Sequence, residues 1–131
     1  MFEKLGGSMS KLLLKGRMID ARDSYYRGLR VSKFTKFWLQ SPLHYAIVLE
    51  IGIAELDGNN INFEGLMKRL PNLGSRSTVG YVVDDFIQSK FVCKSVVQDK
   101  RKRFYTVCPN VWRELEGWFR FWKVSLKEEV A

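Results

Sequence analysis

Three features of this sequence predict a mainly α domain with one small β-hairpin, an α+β fold. Apolar residues recur at helical spacing through most of the chain, the period changes over FVCKSVVQ and RFYTVC, which are rich in β-branched and aromatic residues, and short polar breaks separate the segments. With 131 residues, 46% of them apolar and 14% aromatic, a single domain (1–131) with a real core is expected.

The first apolar set, Leu14, Met18, Ala21, Tyr25 and Leu29, predicts a helix over about 9–27. Phe34, Phe37 and Trp38 suggest that it resumes after Gly28, so 9–40 reads as an N-terminal helical segment. Ser41 as N-cap and Pro42 in the first turn open the next helix, which runs to about Leu56. Its sequence, LHYAIVLEIGIAEL, is apolar nearly all round and should be central and buried. After the break Asp57-Gly58-Asn59-Asn60, a short helix is expected from the N-cap Asn62 to about Leu70. Pro71-Asn72-Leu73-Gly74 then turns the chain into a helix from Ser75 to about Lys90, with Val79, Val82, Val83 and Phe86 on one face. A hairpin follows around the charged DKRK stretch. With Gln98 opposite Arg103, Cys93 falls directly opposite Cys108. From Asn110 the helical period returns, and Val111, Leu115, Trp118, Phe119, Trp122 and Leu126 form one stripe. Trp112 and Phe121 fall off that stripe, so a second face of this helix (110–131) should also be covered.

The net charge of +8 lies in two blocks. Residues 1–37 hold nine basic and three acidic groups, and residues 94–103 hold five basic and one acidic. A compact cationic block on a folded domain suits a polyanion, because neutralising phosphates releases counterions. No apolar run reaches the roughly 18 residues of a membrane span, and the N-terminus lacks a signal-peptide pattern. Two cysteines then fit a reducing cytoplasm, with no disulfide framework and no metal-site spacing. The single histidine, His44, excludes most nucleophile–base and zinc arrangements, and is expected as a partly exposed core residue. There is no glycine-rich phosphate cradle and no catalytic pair of carboxylates. No catalytic residue, metal or cofactor is therefore expected, and the chain does not read as an enzyme.

Two short helices with a tight connection, followed at once by a basic hairpin, make a winged helix-turn-helix pattern. Such a unit suits duplex DNA: the second helix fits the major groove and the hairpin reaches phosphates or the minor groove. Here the leading end of that helix would present Ser75, Arg76, Ser77 and Thr78, with Tyr81 one turn on. Arg76 is expected at a guanine edge, and Ser75 and Thr78 on phosphate. Asp84 and Asp85 should face away. Lys100, Arg101, Lys102 and Arg103 crowd the wing tip.

The stretch from Ile61 to Trp112 resembles the MarR-type winged-helix transcriptional regulators. The likeness rests on the polar-led helix S75-R-S-T-V-G-Y-V-V-D-D-F86, the step F91-V92, the wing D99-K-R-K-R-F-Y105 and the junction T106-V-C-P109. It covers about 50 residues. The resemblance implies a homodimer joined by terminal helices flanking a DNA-binding lobe at 41–109, and the dimer contacts are expected at Tyr25, Leu29, Phe119 and Trp122. The sequence departs from the family at Lys90, where a glycine usually ends the recognition helix, so a helix end without a left-handed cap is expected. Cys108 replaces the usual threonine, and the C-terminus has room for one closing helix only. Family members often bind small aromatic effectors, but nothing in this sequence indicates such a pocket.

Two readings follow. One is a sequence-specific double-stranded-DNA-binding regulator acting as a homodimer. The other is a protein-interaction or scaffold module with an incidental basic wing. The four tryptophans fit core or dimer contacts better than a platform for single strands, since three sit on one helix. Cys93 and Cys108 are a candidate redox pair, because a thiol at a helix start is more easily ionised.

Overall fold

The computed structural model describes residues 9–95 and 103–120. Its order is α1 (Lys11–Val31), α2 (Lys33–Trp38), α3 (Pro42–Leu56), α4 (Phe63–Arg69), α5 (Arg76–Gln88), β1 (Val92–Lys94), β2 (Tyr105–Val107) and α6 (Pro109–Phe119). The result is a mainly helical protein with a small two-stranded antiparallel sheet.

Local chemistry sets most of these boundaries. Ser10, Ser32, Ser41, Asn62 and Ser75 each accept a hydrogen bond from a backbone N–H three residues on, so α1 to α5 all begin on a side-chain cap. α6 begins at Cys108 without such a bond, but Pro109 occupies its first position. The first helix does not break at Gly28 as expected. It continues to Val31, and the break comes at Ser32, where Ser32 and Thr35 form a capping box. Gly28 stays helical and buried because the Trp118 ring lies against it.

α3 occupies the centre. Its Leu43, Ile47, Val48, Ile51 and Ala54 are buried, and it packs against α2, α4, α5 and β2. α2 belongs to this core as well, since Phe34 and Trp38 are buried and stack at 5.4 Å. Trp112, off the main stripe of α6, is covered by α3: it lies over Gly52 and donates its indole N–H to Glu55 at 3.2 Å. The other Glu55 oxygen accepts the Val107 N–H at 2.8 Å. One carboxylate thus ties α3 to both β2 and α6.

The hairpin register differs from the expected one. Val92 pairs with Val107, Cys93 with Thr106 and Lys94 with Tyr105. A shift of two residues leaves every side chain on its original face, so inward–outward alternation cannot detect it. The hydrogen bonds from Ser95 N–H to Phe104 and from Cys108 N–H to Phe91 carry the same register to both ends. Cys108 is nonetheless close to Cys93, with Cα atoms 5.4 Å apart and the sulfurs bonded, so the candidate redox pair is joined although its members are not directly opposed. Ile61 adds an isolated antiparallel bridge to Tyr105, fastening the α3–α4 connection to the sheet.

α5 ends in a left-handed cap, contrary to expectation. Lys90 takes φ 64° in place of the usual glycine. The Phe91 N–H reaches the Phe86 carbonyl and the Lys90 N–H reaches that of Ile87, the paired bonds of a Schellman motif. Phe86 and Phe91 both pack on Phe37, and this apolar clasp offsets the cost of a side chain at positive φ. Among the described residues no helix is long and apolar enough to cross a membrane, and no cluster of His, Cys, Asp or Glu is suited to a metal.

Candidate nucleic-acid interface

α5 divides cleanly into two faces. Val79, Val82, Val83 and Phe86 are buried, while Ser75, Arg76, Ser77, Thr78, Tyr81 and Asp84 are exposed. α4 packs beside α5, and the turn between them is tight. Asn72 takes positive φ (27°) there, a conformation asparagine tolerates.

The exposed polar residues are not equally free. The Ser75 hydroxyl caps α5 by accepting the Thr78 N–H at 3.2 Å, and it also bonds the Thr78 hydroxyl at 2.9 Å. Both hydroxyls expected on phosphate are therefore committed to the helix start. Arg76 is held as well. Its Nη1 donates to Glu64 Oε2 at 3.2 Å, its Nη2 to Glu64 Oε1, and its Cζ sits 5.0 Å over the Phe63 ring. Ser77 is exposed, and Tyr81, 71% exposed, is the large aromatic of this face.

The two aspartates separate. Asp85 is half-buried and near His44, whereas Asp84 is exposed on the same stripe as Ser77 and Tyr81. Both were expected to face away from DNA, yet Asp84 shares the exposed face of Ser77 and Tyr81. Asp84 also lies close enough to Tyr105 to join burial in pushing that phenol's pKa up. A polyanion can approach the first two turns of α5, but the third presents a carboxylate to it.

No family model, curated protein or solved structure matches the chain.

The basic connection between β1 and β2 is described only at its margins. Lys100, Arg101 and Lys102 lie outside the described residues, as does Trp122. Lys94 is exposed, and Arg103 is half-buried, its Nε enclosed with no hydrogen-bond partner among the described residues. Arg103 thus sits partly inside the hairpin base instead of standing free at the tip.

The residues expected at a dimer contact are mostly occupied within the chain. Tyr25 donates its hydroxyl to the Leu39 carbonyl at 2.8 Å. Leu29 and Phe119 pack against the core, Phe119 with its ring 5.9 Å from that of Trp38. On α1 the apolar side chains Leu12, Leu13, Met18, Tyr26 and Val31 are all at least half exposed, and Leu56 and Tyr81 are open elsewhere.

His44 is a partly buried residue of the α3 start. Its Nδ1 bonds the Ser41 hydroxyl at 2.7 Å, and its ring meets those of Phe37 and Phe86. Burial lowers its pKa, and nearby Asp85 partly opposes that. Glu64, Phe63 and Glu55 were not singled out by sequence. An acid in the first turn of α4 was the only signal for Glu64, and nothing local links it to a residue twelve positions on.

Proposed function

We propose that this chain is a sequence-specific double-stranded-DNA-binding regulator of the MarR-like winged helix-turn-helix type, acting as a homodimer. The observation that carries the reading is the division of α5. Its inner face is core, and its outer leading face presents Arg76, Ser77 and Tyr81 to solvent. That helix then runs with no linker into a hairpin whose connection holds Lys100, Arg101 and Lys102. A polar-led helix beside a cationic loop matches how such units meet duplex DNA, with side chains on base edges and lysine and arginine on phosphate.

The dimer would use α1. This helix of 21 residues carries the stripe Leu14, Met18, Ala21 and Tyr25, and among the described residues little packs on its first four turns. The same exposed apolar surface also favours the second reading, a protein-interaction module.

Salt separates the two. Selection of duplexes from a random library should yield a defined site. If about six phosphates are contacted, the logarithm of the affinity should fall against the logarithm of salt with a slope near about −5. Replacing Arg101 with alanine should flatten that slope by about one. Absence of any duplex affinity at low salt would reject DNA binding and leave the interaction module. Sedimentation should show a dimer at micromolar concentration that Met18→Asp converts to a folded monomer. A wild-type monomer would remove the dimer from the proposal.

A further inference from the structure

The first turns of α4 and α5 lie side by side, and three side chains interlock there. Phe63 and Glu64 follow the N-cap Asn62, and Arg76 follows the N-cap Ser75. The Phe63 ring lies under the Arg76 guanidinium, and a Cβ on Gly80 would touch it at 3.7 Å, so the ring covers one helical turn of α5. Glu64 closes on the two terminal nitrogens of Arg76. Both side chains stay more than half exposed, at 58% and 62%.

A guanidinium has five N–H donors in one plane, grouped along its edges. Glu64 uses the edge formed by Nη1 and Nη2. The edge that includes Nε keeps two parallel donors, the arrangement that matches O6 and N7 of guanine. Phe63 fixes the plane and Glu64 fixes the rotation about it. The pair also has no net charge, and the Glu64 carboxylate repels phosphate. A polyanion backbone therefore gains little from Arg76, whereas a neutral base edge can use its free donors.

We propose that Glu64 is a positioning residue that directs Arg76 to guanine and away from the DNA backbone. This rests on the DNA-binding reading above. It assigns Glu64, which itself contacts no base, a share of the sequence specificity. Removing its charge should have two opposite effects. Arg76 becomes free to meet phosphate, so general affinity rises, while the preference for guanine falls.

The test compares wild type, Glu64→Gln, Glu64→Ala and Arg76→Ala on selected and scrambled duplexes over a range of salt. Wild type should prefer guanine at one position by roughly 5- to 150-fold, the range of a bidentate contact. Replacing that guanine by its 7-deaza analogue should remove most of the preference. Glu64→Gln and Glu64→Ala should bind scrambled duplex more tightly, steepen the salt slope by about one unit and lose most of the guanine preference. Arg76→Ala should lose the preference with an unchanged slope.

Retention of both the preference and the slope in the Glu64 variants would overturn the proposal while leaving DNA binding intact. So would a parallel loss of affinity and preference accompanied by a lower melting temperature, which marks a structural role. A wild type with no preferred site would instead overturn the reading on which it rests.

Discussion

The two long helices, α3 and α1, have opposite fates. α3 is apolar nearly all round and is buried by α2, α4, α5 and β2. α1 is longer, carries eight charged side chains, and buries only Gly28 while packing on α2. Apolar spacing identified α1 as a helix and the Ser41 cap with Pro42 identified α3, but neither says where an apolar face finds its cover. α3 finds most of it within the chain, with Ile53 and Leu56 left exposed towards its end. Among the described residues the stripe of α1 remains open at Met18, whereas Tyr25 is tied to Leu39. Folding energy should therefore concentrate in α3 and assembly energy in α1.

The sharpest way to break this division is truncation on each helix. Ile51→Ala, at a site with 0% exposure, should cost about 2–5 kcal/mol of unfolding free energy. Met18→Ala, at 62% exposure, should stay within about 0.5 kcal/mol when measured at concentrations that keep the chain monomeric. Equal losses in denaturant titrations would mean that α1 is covered in the monomer, and the contrast would fail.

Polar contacts should split the same way. Glu55 of α3 accepts from Val107 N–H and Trp112 Nε1, and Val107 is only 2% exposed. Glu55→Ala leaves the buried Val107 N–H and the half-buried Trp112 indole N–H without this partner, so a loss of about 1–3 kcal/mol is expected. On α1 the ion pair of Arg22 with Asp23 spans 3.0 Å but is half exposed on both sides. Arg22→Ala should change stability by less than about 1 kcal/mol. Chemical denaturation of the two variants checks both values.

Glycine sharpens the comparison within α1 itself. At Gly28 a Cβ would lie 2.7 Å from Trp118 Cη2 and closer still to Cζ3, so Gly28→Ala should cost about 1–3 kcal/mol by forcing α6 outward. At Gly16 nothing lies within 4 Å, and Gly16→Ala should stabilise by about 0.5–1 kcal/mol through reduced chain entropy. Thermal midpoints moving in opposite directions would place the end of the packed region between residues 16 and 28.

The same glycine shows where sequence reading stops. Caps such as Ser41, Asn62 and Ser75 act over three residues, so α3, α4 and α5 were legible at their starts. Gly28 resembled a break because its real role, space for a tryptophan ninety residues on, leaves no local trace. The hairpin register was lost for a related reason: a two-residue slip preserves the faces, and only the tip distinguishes the alternatives. At the candidate interface the sequence indicated the exposed residues but not their engagements. Ser75 and Thr78 serve the helix start, and Arg76 serves Glu64 through a contact between helices. Lys90 adopts the left-handed cap that its side chain disfavours because Phe86 and Phe91 close over Phe37, a tertiary effect.

The smallest expected effect is a pH dependence carried by α3. His44 is the single histidine of the chain. Its ring lies among Phe37, Phe86 and the Ser41 hydroxyl, with Asp85 the acidic group facing it. Burial lowers its pKa below the ordinary 6.5, and the attraction of Asp85 does not fully offset this. The unfolded chain therefore takes up the proton first as pH falls. By linkage, stability is full above about pH 6.5, declines below it, and levels once the folded state is also protonated. Urea midpoints should drop modestly between pH 7.5 and 5.5 in wild type, and His44→Gln should flatten that slope whatever it does to the overall level. Titration of the imidazole ring protons by NMR gives the direction independently. A midpoint above 6.5 would show that Asp85 outweighs burial, and the sign of the pH dependence would reverse with it.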